Sequence, residues 1–376
     1  MEKLKICYIV TIGLTIKSFF VPQLQMLSNN GFDVSVVCSP DDSLETVLGS
    51  SIHYYPVTIP RGLSFVGMIK AFFGIYSVLR KNRFDLVQYS TPNAGLVSSF
   101  ASKLLGIKKR NYHLMGIRYL GEDGLKRKFL KELEKITCRL STNVECVSYS
   151  NLDLAIKERL FPREKGVVVF HGSSGGIDTV RFSITNRVNY RKRIRTEYGL
   201  REESFVFGFV GRVTRDKGVN EILSAFSKLH NCKLMIIGYL DEIESLDADL
   251  YKNSLQNPNI IYTGPVNCPE LYYSALDCLL LPSYREGFGN VIIEAAAMGT
   301  PAIVSNIPGP IDTSIENKTA IWIPPRDEIA LYNAMEHIQT IDYVKMGIDA
   351  AVFVRKNFDQ TVVNDYILKR KISLLG

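Results

Sequence analysis

Leu279-Leu-Leu-Pro-Ser-Tyr-Arg-Glu-Gly-Phe-Gly-Asn-Val-Ile-Ile-Glu294 reads as a strand, a turn and the opening of a helix in immediate succession. Residues 279–281 have the short, uniformly apolar pattern of a buried strand, and Pro282 and Ser283 end it. Gly287 and Gly289 leave the next backbone bare enough for a ligand to approach closely, and Asn290 begins an alanine-rich helix. Amide groups at a helix start lack intrahelical partners, and the positive end of the helix dipole adds to their preference for a diphosphate. Glu286 and Glu294, flanking the glycines, are placed to accept hydrogen bonds from sugar hydroxyls. A glycine pair by itself marks only a turn before a core helix. The two carboxylates make the stretch a candidate for a sugar nucleotide.

The same alternation of strand-like and helix-like runs extends in both directions, the pattern of an α/β protein with parallel sheets covered by helices on both faces. Upstream, strands are expected at residues 5–10, 33–38, 54–59, 85–89, 110–115, 144–149 and 167–170, enough for one doubly wound sheet. After a polar, basic stretch at 186–195, a second series follows at 205–210, 233–237, 260–262, 278–281, 302–305 and 320–323. The join falls near Gly175-Gly-Ile-Asp-Thr-Val-Arg-Phe182, where glycines give way to polar residues without periodicity. The expected domains are therefore residues 1–182 and 183–357, with a C-terminal helix at 358–375 crossing back onto the first.

A chain of 376 residues accommodates two such domains, each with its own core. Hydrophobic residues make up 46% and charged residues 22%, with a mean hydropathy of +0.04, the apolar end of the soluble globular range. No apolar run approaches the roughly 20 residues needed to cross a bilayer, and residues 1–10 read as a first strand rather than a signal peptide. Seven cysteines with no Cys-x-x-Cys pair suggest reduced thiols in a cytoplasmic protein. The net charge of +7 is unevenly spread. Lys126, Arg127, Lys128, Lys131, Lys135 and Arg139 cluster on one helix, with Lys108-Lys-Arg110 upstream. Such a face suits anionic lipid headgroups or a lipid-linked diphosphate, or is simply solvated. The clusters lack the interleaved aromatics that stack on bases, so no nucleic-acid partner is expected. Residues 65–83 carry Phe72, Phe73, Tyr76 and Leu79 with a basic tail, the spacing of a core helix or of an edge dipping into a membrane.

The second series opens with Phe209-Val-Gly-Arg212, a short loop, then Lys217-Gly218 before a helix, so Arg212 and Lys217 flank one strand-to-helix loop. Ligands of open parallel sheets sit at the carboxyl ends of strands, where two cations can neutralise a departing diphosphate. Salt bridges to Asp216 and Glu221 are the structural alternative for the same pair.

Gly211-Arg212-x4-Lys217-Gly218, Glu286-x7-Glu294 and Ser305-Asn-x-Pro-Gly309 together resemble the family-four retaining glycosyltransferases of GT-B fold, over nearly the whole chain. The Gly175–Phe182 segment and Gly116-Ile-Arg-Tyr119 are most similar to the branch that builds bacterial capsule, O-antigen and related lipid-linked glycans. The resemblance implies two Rossmann-like domains facing a central cleft, the first binding acceptor and the second the nucleotide sugar. It implies that Arg212 and Lys217 hold the donor diphosphate, Glu294 the ribose and Glu286 the transferred sugar. Gly13, Gly211 and the backbone of Gly287, Phe288, Gly289, Asn290 and Val291 complete the expected donor site. The family's usual histidine before Gly116 is replaced by Met115, with His113 two residues earlier as the candidate substitute. The near-N-terminal loop Thr11-Ile-Gly-Leu-Thr15 offers only Gly13.

The expected activity is transfer of a hexose or N-acetylhexosamine from a nucleoside diphosphate sugar, UDP-linked, to a polyprenyl-diphosphate-linked saccharide. Fixed cations stabilise the leaving group, so no cofactor or metal is expected, and Asp247-Ala-Asp249 is not read as a metal site. The expected location is the cytoplasm, peripherally on the anionic inner face of the cell membrane. The rivals are a nucleotide-sugar epimerase of the same fold and a non-catalytic donor-binding partner in glycan assembly.

Overall fold

The structure, a computed structural model, describes residues 3–62 and 64–376; Met1 and Glu2, at the start of the first expected domain, lie outside them. Two compact units result, one running to Gly176 and resuming at Gln360, the other spanning Ile177–Asp359.

The first unit holds one sheet of seven parallel strands, β1 (Lys5–Ile9), β2 (Asp33–Cys38), β3 (Ile52–Pro56), β4 (Leu86–Ser90), β5 (Lys109–Leu114), β6 (Asn143–Cys146) and β7 (Gly166–Val168), in the order 3-2-1-4-5-6-7. Alternate residues of β1 feed two cores: Cys7 and Ile9 pack on one face, Ile6 and Tyr8 on the other. Burial on both faces is why β1 and β2 read as largely apolar runs rather than alternating ones, whereas β4, β5 and β6 take Gln88, Asn111, His113 and Glu145 into the interior. The expected strand at 144–149 ends early, because Ser148 accepts from the Asn151 amide at 3.3 Å and starts the helix Tyr149–Lys157. The C-terminal helix Gln360–Leu375 belongs to this unit: Leu374 enters the core beside Ile6 and Tyr8, and Lys371 is buried. Its Nζ donates to Glu145 Oε2 at 2.8 Å and Gln88 Oε1 at 2.6 Å.

The helix Phe65–Asn82 corrects one expectation. Its buried stripe is Ala71, Ile75 and Leu79, whereas Phe73 stands 63% exposed and Phe72 only packs against the core's edge. The periodicity fits Ala71 as well as it fits Phe72, and the smaller residue is the one taken into the core.

The second unit holds β8 (Phe205–Val210), β9 (Cys232–Ile237), β10 (Ile260–Gly264), β11 (Cys278–Leu281), β12 (Ala302–Ser305) and β13 (Ala320–Ile323), all parallel, in the order 10-9-8-11-12-13. The basic stretch ahead of it is part of a helix, Arg187–Glu197, that packs on the helix Pro269–Ala275. Arg195 is 2% exposed and donates to Asp277 and to the carbonyls of Ala275, Arg201, Glu202 and Ser204. Among the described residues no helix is long and apolar enough to cross a membrane. All seven cysteines are free thiols, and only Cys268 is exposed.

Candidate active site

In the second unit the strand order reverses between β8 and β11, which pair through Phe207–Cys278 and Gly208–Leu279. The carboxyl ends flanking such a reversal leave a crevice, because the connections leave them toward opposite faces of the sheet. The loop after β8 carries Arg212 and Lys217, and the loop after β11 carries Glu286 to Gly289. Two glycines let these loops meet. Gly218 has φ +73°, and a β-carbon there would lie 2.3 Å from the Pro282 carbonyl oxygen. Gly309, φ +98°, in the loop after β12, would bring one to 3.0 Å from the Gly287 carbonyl. Any larger residue would push three loops apart.

Lys217 Nζ reaches Glu286 Oε1 at 2.6 Å, and Ser283 Oγ donates to the same oxygen at 3.0 Å. The pair is mostly shielded, with the side chains 20% and 13% exposed. The expected partners Asp216 and Glu221 serve other residues. Asp216 meets Arg285 at 2.9 Å and accepts from Thr214 Oγ1 at 2.5 Å. Burial works to raise its carboxyl, and Thr214, Arg285, Lys217 and Arg212 outweigh that, leaving it below the usual range. Glu221 accepts from the Tyr284 hydroxyl at 2.6 Å, and Arg326 lies 4.5 Å over the Tyr284 ring. Arg212 is half exposed, 3.6 Å from Asp241.

The helix Asn290–Ala297 starts directly after Gly289, so its first-turn amides open toward this loop. Phe288 contributes backbone only, since its ring is buried edge-on against Phe358 at 5.4 Å. Glu294, one turn on, accepts from the Tyr273 hydroxyl at 2.7 Å. Burial raises its carboxyl above the ordinary value, against the Tyr273 hydrogen bond and the charge of Arg181. Arg181 itself is paired with Glu270 at 2.8 Å. This set of groups can bind a diphosphate through Lys217, Arg212 and the helix amides, and hydroxyls through Glu286 and Glu294.

Gly13, His113 and Met115 belong to the first unit. Gly13 opens the short helix Gly13–Phe19 against Asp41, whose carboxylate oxygen would lie 2.3 Å from a β-carbon there. His113 is 7% exposed, with Nε2 3.0 Å from Ser174 Oγ and Nδ1 3.8 Å from Glu145. Burial lowers its pKa, so its neutral ring is a member of the Glu145–Lys371 network. Met115 follows β5 and packs against the core beside Phe20. Asp247 caps the helix Ala248–Gln256 by accepting from the Asp249 and Leu250 amides at 3.1 and 3.0 Å.

Sequence reasoning gave no weight to Arg285, Tyr273 and Thr91. Arg285 adjoins Glu286 and was legible as a third cation of the loop; Tyr273 was not, because its partner lies on another helix. Thr91, at the end of β4, adopts φ +67°, rare for a branched residue, and its hydroxyl lies 2.6 Å from that of Thr11 after β1. It marks the strand-order reversal of the first unit, between β1 and β4.

Residues 190–343 match the family described as glycosyl transferases group 1, and residues 5–148 match the glycosyl transferase 4-like family. The capsular polysaccharide biosynthesis glycosyltransferase CapM of Staphylococcus aureus is 30% identical over 342 residues, covering 90% of this chain and 88% of that one. The UDP-Gal:alpha-D-GlcNAc-diphosphoundecaprenol alpha-1,3-galactosyltransferase of Escherichia coli is 25% identical, covering 82% and 81%. In structure the chain is similar to HepE of Anabaena, solved in complex with UDP, with a TM-score of 0.79 at 16% identity over 98% of this chain and 100% of that one. That likeness identifies the fold as GT-B.

Proposed function

This chain belongs to the group 1 glycosyl transferases, and from that premise we propose that it is a retaining enzyme of family four acting in capsule or O-antigen assembly. It takes a hexose or N-acetylhexosamine from a UDP-linked donor and delivers it to a polyprenyl-diphosphate-linked saccharide. The observation that carries this reading is the Lys217–Glu286 pair at 2.6 Å, at the strand-order reversal of a sheet whose next helix starts with Asn290. The likeness to the Escherichia coli diphosphoundecaprenol galactosyltransferase and to HepE in complex with UDP supports the donor and acceptor classes.

The reaction breaks the bond between the anomeric carbon and the diphosphate, leaving positive charge on the sugar and negative charge on the nucleotide. Lys217, Arg212 and the first-turn amides stabilise the negative charge as it forms, and these fixed cations supply what a metal would otherwise bring. Glu286 orients the sugar and Glu294 the ribose. For retention, the acceptor hydroxyl attacks from the face the diphosphate leaves, and its proton passes to a phosphate oxygen of the departing nucleotide. The protein works at the cytoplasmic face of the membrane, where lipid-linked acceptors are held.

The test begins with melting temperatures against a panel of nucleotide sugars, since a bound donor raises stability by mass action. It continues with transfer to lipid-linked saccharides and the anomeric configuration of the product. Lys217→Ala and Glu286→Ala are each expected to lower kcat by roughly 10²–10³-fold, the usual effect of removing one preorganised polar group of a catalytic site, with the fold retained at the assay temperature. Turnover like that of the unsubstituted chain in both variants, or conversion of donor to an epimer without acceptor, would refute the proposal.

A further inference from the structure

Three helices of the first unit, Phe65–Asn82, Pro92–Leu104 and Gly124–Leu140, line a half-open cavity of about 930 Å³. This is at the upper end of the range for small-molecule sites, about 300–1,000 Å³. The walls are almost wholly apolar, with Ile69, Leu96 and Leu133 among them. All three helices also give the rim exposed phenylalanines: Phe65 is 82% and Phe73 63% exposed on the first, Phe100 46% on the second and Phe129 53% on the third. Soluble monomers seldom leave large contiguous apolar surface uncovered unless something binds it.

The polar groups of the lining are committed locally. Ser64 Oγ accepts from the Gly67 amide at 3.2 Å, and the Asn93 side-chain amide donates to the Pro60 and Gly62 carbonyls at 2.6 and 3.0 Å. The interior therefore rewards hydrocarbon and little else. The rim has the opposite character. Three of the four exposed phenylalanines have a lysine three positions away on their own helix, Lys70 for Phe73, Lys103 for Phe100 and Lys126 for Phe129, a spacing that makes them neighbours on one face, and Phe65 has none. Lys126 makes an exposed pair with Glu122 at 2.8 Å. The helices Phe65–Asn82 and Pro92–Leu104 contain no acidic residue. An apolar cavity whose three helices each carry a lysine beside an exposed phenylalanine is complementary to a chain of hydrocarbon ending in an anionic group.

We propose that this cavity seats the isoprenoid chain of a polyprenyl diphosphate, with Lys70, Lys103 and Lys126 meeting its negative charge. The inference rests on the acceptor class argued under the proposed function and adds where in the first unit the acceptor's lipid is held.

The experiment uses the full chain and calorimetric titration with geranylgeranyl diphosphate below its micellar concentration, against isopentyl diphosphate, which has the same head and a short tail. The long chain is expected to bind at least tenfold tighter. Leu96→Trp, which fills the cavity, is expected to bring the long chain to the short chain's affinity. The double variant Phe73→Ser with Phe129→Ser, at exposed positions where folding is little affected, is expected to weaken long-chain binding at least tenfold. Equal affinities for the two diphosphates, or unchanged long-chain binding in both variants, would overturn the proposal. So would a loss confined to phosphatidylglycerol vesicles, which would make the face a bilayer contact instead. Transfer assays with saccharides on short, water-soluble diphosphate tails read the other question. Their failure, together with failure of the lipid-linked forms, refutes the acceptor class, while the binding result stands on its own.

Discussion

Lys217 and Glu286 were legible as separate residues of chemical interest, yet each one's partner was not. The sequence neighbours Asp216 and Glu221 are the obvious counter-ions for Lys217, and the structure gives them to Arg285 and Tyr284 instead. What pairs Lys217 with Glu286 is the close approach of Gly218 to Pro282, a contact between loops that no spacing encodes. Glu134 poses the same difficulty in a buried setting. It lies in the run of basic residues read as a lipid-facing or solvated face, but it turns inward, 5% exposed, and accepts from the Tyr112 hydroxyl at 2.6 Å. Burial pushes its carboxyl up to about 7, against that hydrogen bond. Between its unfolded value near 4.5 and that point, the folded chain holds a proton the unfolded chain has lost, so stability falls as pH rises across the window. The full effect is roughly 3 kcal/mol. Glu134→Gln keeps an acceptor for Tyr112 and removes the titration. It is expected to raise the urea midpoint at pH 8 and to leave it nearly unchanged at pH 5. An equal effect at the two pH values would mean that the carboxyl is not protonated in the folded state.

At the level of elements, the sheets were readable because parallel strands buried on both faces leave short apolar runs between helical segments. Each expected strand overlaps an observed one, and β8, β11, β12 and β13 coincide with residues 205–210, 278–281, 302–305 and 320–323. Helices that carry charge into the interior were not readable. Arg187, Arg191 and Arg195 recur every four residues on Arg187–Glu197, which looks like a solvated stripe until Asp277 is known to face it. Asp277 accepts from Arg195 at 2.7 Å and from Arg191 at 3.0 Å, and also from the Val206 amide at 2.7 Å at the start of β8. The helix thereby fixes the end of the strand whose other end carries Arg212. Removing one partner of a buried pair strands the other, at a cost of about 3–5 kcal/mol. Arg195→Ala is expected to fall in that range, because five acceptors lose their donor at once. Arg191, which also reaches the exposed Glu202, is expected to cost less. Denaturant midpoints of the two variants decide the order, and a larger loss for Arg191→Ala would contradict this account of what holds the helix.

For the whole molecule, the decisive feature is that the chain leaves the first unit at Gly176 and re-enters it at Gln360. The returning helix is held by Lys371, which lies in an interior of Glu145, Gln88, Asn111 and His113 drawn from β4, β5 and β6. Burial alone would raise the Glu145 carboxyl; the charge of Lys371 and the contact with His113 reverse this and hold it far below the usual carboxylate range. A carboxyl depressed by folding contributes stability that is present above its unfolded value and is lost as pH falls toward its folded one. The network therefore ties the first unit to pH in the acid direction. Lys371→Ala leaves Glu145 buried without its cation, which is expected to cost the first unit about 3–5 kcal/mol. Because the chain has two units, the loss should split the melting curve rather than shift it as one. At pH 7 the variant is expected to show an early transition for the first unit and an unmoved one that UDP-sugar still raises. In the unsubstituted chain, lowering the pH below about 4 should bring the first transition down toward that of the variant. Calorimetry across pH 3–7 reads both, and a variant whose two transitions fall together would show that the returning helix stabilises the chain as a single cooperative body.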